Sequence, residues 1–417
     1  MMPAERKTAV TDERLAALTL PAGDGWLRAG REDALGRLRA VGLPGRRDEY
    51  WRYTNPAKLV QADPEPSQPD AGEDPFAGVD ADVITIDGDG ITMPGTIEGL
   101  DVTTLSDAGG ADIHWAKDLY GTLEAAGSRP VSRPLAMLNT AFATDGLVIR
   151  VTGKVARPLH IRTTGGTDPI LHHVVKVEAG GALTILESGN VGARYNTALE
   201  VDVADGAAFH HLRVQGPDGG MHANTHIFAR LGSEATFRSF TLSANGQLTR
   251  NEATIDLTGD DASATIGGAA FGDGDVHHDD TVFVTHDAVN CESRQVFKKV
   301  LRNGATGVFQ GKILVKEGAQ KTDGYQISQA LLLDDDAQFL AKPELEIYAD
   351  DVACSHGSTT GAIDETALFY LRSRGVPKRV ATDMLVLSFL AEAVEEIENE
   401  DLRAHVGDLL TDWQARA

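Results

Sequence analysis

Between about Gly146 and Asp350 the chain repeats one short pattern, a polar turn followed by an alanine and a run of alternating apolar and polar residues. It reads "EAGGALTIL", "ADGAAFHHL", "GSEATFRSF", "GDDASATIG", "RNGATGVFQ" and "DDDAQFLAK", with Ala182, Ala207, Ala235, Ala262, Ala305 and Ala337 aligned. The alanines lie 25, 28, 27, 43 and 32 residues apart, a loose period. Alternation with period 2 is the signature of strands. A strand-and-turn unit recurring every 20 to 50 residues cannot bury its apolar face alone and must stack on its neighbours, so the pattern predicts a β-helix. The small residue after each turn is expected at a crowded corner. A β-sandwich with ordinary turns is the alternative for the same strands.

The flanks follow other periods. The first 60 residues, with "TDERLAALTL" and "DGWLRAGREDALGRLRAVGLP", space apolar residues as helices do. "ADPEPSQPDAGEDPFAGVDAD" is rich in Pro and Asp and reads as a surface linker. The expected organisation is an N-terminal helical cap and linker over 1–79, a β-helix core over 80–350 with helices near 114–143, and a C-terminal helical subdomain over 351–417. In the last part Asp364 is placed to cap a helix that ends at Gly375, and Pro377 to open the next. Leu368, Leu371, Val380 and Met384 lead apolar stripes there, which need a surface to cover them.

A net charge of −24 argues against nucleic acid and anionic membranes as partners. Two cysteines exclude a disulfide framework and point to a reducing compartment. The first residues carry no apolar signal region and no run of 18 apolar residues occurs, so a cytoplasmic protein is expected.

No phosphate-binding loop is present. "GATGVFQGKI" lacks the G-x-x-x-x-G spacing and has Ile313 where a hydroxyl residue should bind Mg²⁺. The doublets His172-His173, His210-His211 and His277-His278 each point two rings to opposite faces of a strand, and satisfied strand histidines are the expectation. Asp279-Asp280 and Asp334 to Asp336 could serve a β-helix polysaccharide lyase or hydrolase, although solvated turns explain them better. His286 and Cys291 form a weak metal candidate. Cys354 and His356 form the stronger one, because two residues apart on a strand they share a face. Two ligands leave a four-coordinate site half empty, so any metal held there needs donors from elsewhere.

The blocks GVFQGKI, AQKTDGYQ, AKPELEIYADDV, CSHG and LFYLRSRGV, in that order over about a hundred residues, resemble the SufB/SufD family of iron–sulfur cluster assembly proteins. The C-S-H-G form and the N-terminal "RRDEYWRYTNPAKL" are most like SufD. Ala353 stands where the family commonly has Lys, and Gly324 and Ser358 replace usual alanines. The resemblance implies a right-handed parallel β-helix between two helical subdomains. It implies a non-enzymatic scaffold that pairs with SufB and with the ATPase SufC, whose docking surface would be the C-terminal helices. A transient iron–sulfur cluster shared with SufB, near Cys354 and His356, and a reduced FAD in the complex with no residues assigned, also follow from it. A homodimer in isolation is a further expectation.

Overall fold

A computed structural model describes residues 3–65, 74–111, 114–215, 220–244 and 246–416. The Pro- and Asp-rich linker expected at 62–82 thus lies partly outside the described residues. Two long sheets dominate, one of ten strands and one of nine among the described residues. Each sheet takes every second strand of the chain, and from Leu159 to Gly361 all pairings are parallel. The chain therefore winds from one sheet to the other and back, as a parallel β-solenoid. A sandwich of antiparallel hairpins is excluded by that pairing. Among the described residues, only the hairpin of Asp82–Asp87 with Gly90–Thr92 and the pair Leu100–Thr104 with Leu147–Val151 run antiparallel, at the solenoid's first end.

In the ten-stranded sheet successive register partners, Ala182, Ala208, Thr236, Ser263, Glu292, Asp323 and Ala353, lie 26, 28, 27, 29, 31 and 30 residues apart. The residue before each forms the corner column Gly181, Ala207, Ala235, Ala262, Cys291, Thr322, Val352. Ala207, Ala235 and Ala262 are 0–1% exposed there. Ala305 and Ala337 are also buried, but they precede Thr306 and Gln338 in the nine-stranded sheet. The 43-residue gap in the sequence period is thus one and a half turns, a switch from one sheet's corner to the other's, and Ala182 sits one place past its own corner. Sequence alignment on alanine could not separate the two corners because both demand a small residue.

One step before the buried corner, Glu234, Asp261, Asn290 and Lys321 stack with positive φ of 56–62°, in line with Gly206 at 63°. This left-handed turn lets each backbone N–H donate to the next rung, as Glu234 N to Asp260 O at 2.8 Å and Asp261 N to Val289 O at 3.0 Å. It is why Gly, Asp and Asn recur at the turns.

The interior is mostly aliphatic and aromatic, with Phe209 stacked on Phe237 and Phe297 against Phe309. A polar chain nevertheless runs within it. Glu187 accepts from Arg213 at 2.8 Å and meets His211 at 3.1 Å, Arg213 donates to Thr225 at 2.8 Å, Thr225 to Asn251 at 2.9 Å, and Asn251 to Asp280 at 3.2 Å. Lys299 closes the chain on Asp280. Burial alone would raise the Glu187 carboxyl, but Arg213 and His211 outweigh it and hold it well below the usual carboxylate range.

Both outer faces are covered. The N-terminal helices Gly25–Val41, Thr122–Gly127 and Pro134–Phe142 lie on the nine-stranded sheet over Val148, Val174 and Phe228. The segment that carries "EYWRYT" is pinned there: Trp51 lies under the Arg250 guanidinium at 4.1 Å, Thr54 bonds Asp279, and Tyr50 bonds Glu344. On the ten-stranded sheet, helices Lys378–Val394 and Glu400–Arg416 bury Val386, Leu390, Ala393 and Val406 over Phe240, Ala269 and Val296. Arg294 with Glu396, Lys298 with Glu392, and Arg238 with Glu398 rim that contact.

The corner and the turn beside it respond to size in opposite ways. Ala235→Leu is expected to destabilise by about 1–3 kcal/mol, because a buried corner cannot admit a larger side chain. The neighbouring Glu234→Gly is expected to be neutral or to stabilise by up to about 1 kcal/mol, because it relieves a left-handed backbone on an exposed residue. Urea unfolding of the two variants reads both signs, and a neutral Ala235→Leu would mean that the corner is not close-packed.

Candidate functional site

The solenoid's second end is bare. Its last strands are Gln338–Ile347 in one sheet and Val352–Gly361 in the other, and each has a strand partner on one side only. Val352–Gly361 pairs with Thr322–Leu332, setting Cys354 over Gly324, His356 over Gln326 and Ser358 over Ser328. Within these two strands Val352 and Cys354 pack with Ile313, Val315, Ala319 and Leu345 at the mouth of the interior. Cys354, His356 and Ser358 therefore share the inner face of the terminal rung, as their spacing predicts. The first helix of the C-terminal part begins only at Glu365, so this strand belongs to the solenoid itself.

The two residues differ in what they offer. Cys354 is half-buried, and burial pushes its thiol up, so alone it is a packed, protonated thiol rather than a thiolate. Gly324 makes room for it, since a Cβ there would stand 3.1 Å from the sulfur. His356 is exposed, and its imidazole is free to meet a partner. Among the described residues no three His, Cys, Asp or Glu side chains gather in a metal-holding cluster, in keeping with a pair that is incomplete by itself.

The weaker candidates are engaged elsewhere. Cys291 fills the corner column beneath Thr322, with its thiol on Gly259 O at 3.3 Å. His286 bonds Ser293 at 2.8 Å through Nε2. The doublets divide between faces, as expected. His172 faces outward to Asn139 at 3.0 Å while His173 Nδ1, inside, accepts from Leu147 N at 3.1 Å. His210 lies 3.5 Å from Glu398 outside, and His211 reaches Glu187 inside. Asp279 and Asp280 are not the solvated turn residues expected: both are buried mid-strand, Asp279 on Arg250 and Thr54, Asp280 on Lys299 and Asn251. The alternating pattern hides this, because a carboxylate on either face of a covered strand needs a cation that lies far off in sequence. Asp334 does serve a turn, accepting from Ala337 N at 3.0 Å.

The C-terminal docking candidates divide too. Val380 and Met384 are 41% and 48% exposed, and on the preceding helix Phe369 is 73% and Tyr370 56% exposed. Leu371 is half-buried, and Leu368 is buried between the helices. The stripe led by Val380 and Met384 thus starts on the outward side of Lys378–Val394, while the side on the sheet is Ala381, Val386, Leu390, Ala393 and Val394. The helix is apolar on two sides, and spacing alone could not choose between them. Phe369 and Tyr370 were missed because they lie off the stripe led by Leu368 and Leu371.

The chain is a parallel β-solenoid covered by helices on both faces, whose last rung has no further strand among the described residues. The profile described as "SUF system FeS cluster assembly, SufBD core domain" matches residues 161–389. Iron-sulfur cluster assembly protein SufD of Escherichia coli (strain K12) is 30% identical over 388 residues, covering 89% of each chain. A second SufD, from Bacillus subtilis (strain 168), is 26% identical over 281 residues, 64% of each chain. An iron-sulfur cluster assembly SufBD family protein of Mycobacterium tuberculosis is 29% identical over 290 residues, 66% of this chain and 73% of that one. The chain belongs to the SufB/SufD family of iron–sulfur cluster assembly proteins and is most like SufD.

The buried histidines give the fold a pH signature. Burial pushes His173, His226 and His286 down to about 4. In the unfolded chain each titrates near 6.5, so from about pH 6.5 down to about 4 the unfolded state takes up protons that the fold refuses, and stability falls. Above that window these rings cost nothing. The urea midpoint is expected to drop steadily across it, and His286→Gln to flatten part of the slope; a midpoint independent of pH would show that the rings are charged in the fold.

Proposed function

We propose that this chain is the SufD-type subunit of a complex with SufB and the ATPase SufC, a non-enzymatic scaffold that supports iron acquisition and nascent cluster formation where its open rung meets SufB. The observation that carries this reading is the unpaired edge of Val352–Gly361, a strand that holds Cys354 and His356 on one face at the end of the solenoid with coordination left to be completed from outside. The cluster is cargo here. Thiolates suit it best, and an imidazole donor in place of one changes its potential and loosens its hold. His356, exposed and unpacked, is the donor of the pair; Cys354 shapes the mouth. Backbone N–H and C=O groups along the free edges of both sheets supply the means of pairing with a like solenoid.

SufC is read as the partner of the outward side of the C-terminal helices, where Phe369, Tyr370, Val380 and Met384 are exposed together. The reading gives ATP hydrolysis to SufC. It gives no side chain of this chain to a flavin. The polysaccharide-acting alternative loses Asp279 and Asp280 to buried ion pairs and keeps only the turn run Asp334 to Asp336. No helix among the described residues is long and apolar enough to cross a membrane.

Two experiments test the reading. His356→Ala in the co-purified complex is expected to retain SufB and to lose most of its iron and cluster absorbance, with Cys354→Ser milder; normal cluster content in His356→Ala would leave a scaffold that only recruits the ATPase. Phe369→Glu combined with Met384→Glu is expected to weaken SufC binding at least tenfold, because it puts charge into a core of apolar contacts, while the solenoid's circular dichroism stays unchanged. Undiminished SufC capture would mean that these side chains face solvent in the complex as well.

A further inference from the structure

The last rungs hold a polar column that ligand donation alone does not require. Gln295, Gln326 and His356 lie in register on the inner face of the ten-stranded sheet. Both glutamines are 0% exposed. Gln326 Nε2 donates to Gln295 Oε1 at 2.9 Å, which commits that arm of the amide to the rung below. Its other arm, Oε1, is shut off from solvent and has no hydrogen-bond partner among the described residues. A buried acceptor left without a donor is a standing cost in a native fold, and it calls for a group that can reach it. The rung above is the terminal strand, and the residue it sets on Gln326 is His356. Gly311 holds the space for this amide, because a Cβ at that position would come within 2.3 Å of Gln326 Nε2 and 2.6 Å of its amide carbon.

We propose that Gln326 is the positioning residue for His356: its Oε1 takes a ring N–H of the imidazole, fixing one tautomer and leaving the lone pair of the other ring nitrogen directed out of the solenoid's end. A neutral imidazole has one N–H and one lone pair, so binding the first determines where the second points. Ligating histidines are held by the same device, an oxygen on the far ring nitrogen. The purpose of the bond rests on His356 being a donor to the cluster, as proposed above, but the bond itself is a property of this chain alone. GVFQGKI and TDGYQ then act together: Gly311 opens the pocket, Gln326 fills it, and Gly324 admits the neighbouring thiol.

The test is the tautomer of His356 in the full chain without partners, read from long-range proton–nitrogen spectra of ¹⁵N-histidine-labelled protein. The pH is set well above the ordinary imidazole value of about 6.5, and the signal is assigned by its loss in His356→Ala. A single tautomer with a slowly exchanging N–H is expected in the unmodified chain. Gln326→Met and Gly311→Ala are expected to give the mixture of a free imidazole, and Gln326→Glu, which keeps an acceptor, to restore the single form. In the co-purified complex Gln326→Met is expected to lower cluster content about tenfold with SufB retained. A free-imidazole mixture for His356 in the unmodified chain, or a tautomer ratio indifferent to Gln326→Met, overturns the positioning role. If the tautomer behaves as stated while His356→Ala keeps its cluster, the positioning stands and the donor reading falls.

Discussion

In a parallel solenoid each residue lies directly on its counterpart in the next turn, and that vertical contact governs the rest of this molecule. Strands some 4.8 Å apart leave no choice of neighbour. A small corner residue requires a small one above it, a left-handed turn requires another, and a buried charge must find its opposite one rung away or across the interior. Ala207, Ala235 and Ala262 satisfy the first demand, Gly206, Glu234 and Asp261 the second, and the chain from Glu187 to Lys299 the third. Apolar stacking tolerates a shift of register, but this polar sequence does not, because moving one strand by one residue would turn each partner to the opposite face.

The same constraint defines the site by lapsing. At the first end an antiparallel hairpin and Leu100–Thr104 close the sheets, and along both sides helices cover the outer faces. At the other end the rung that carries Cys354, His356 and Ser358 has no strand beyond it among the described residues. The columns beneath them are built as though one more rung followed. A like solenoid is the simplest object that supplies one.

The solenoid was legible because its period is enforced rung after rung, and the shared face of Cys354 and His356 was legible because strand alternation is strict. What the sequence could not resolve has a common cause. Two corners with the same size requirement read as one repeat, Asp279 read as a turn because Arg250 and Thr54 are remote, and the helix Lys378–Val394 is apolar on two sides. In each case the deciding contact joins residues that no local window contains. The glutamine column is the same case: Gln295 and Gln326 are 31 residues apart, and nothing between them announces that they touch.

The pinning of the N-terminal segment has a consequence in time. Thr54 meets Asp279 across 225 residues, and Tyr50 meets Glu344 across 294. Synthesis delivers Tyr50 and Trp51 to solvent first, long before the strands that will cover them exist. Loop closure over such spans is slow, and exposed aromatic residues on a waiting chain are what chaperones bind. The solenoid can grow rung by rung behind the ribosome, but its cover closes only when the last turns are made, so the end that carries His356 is also the end that completes the fold.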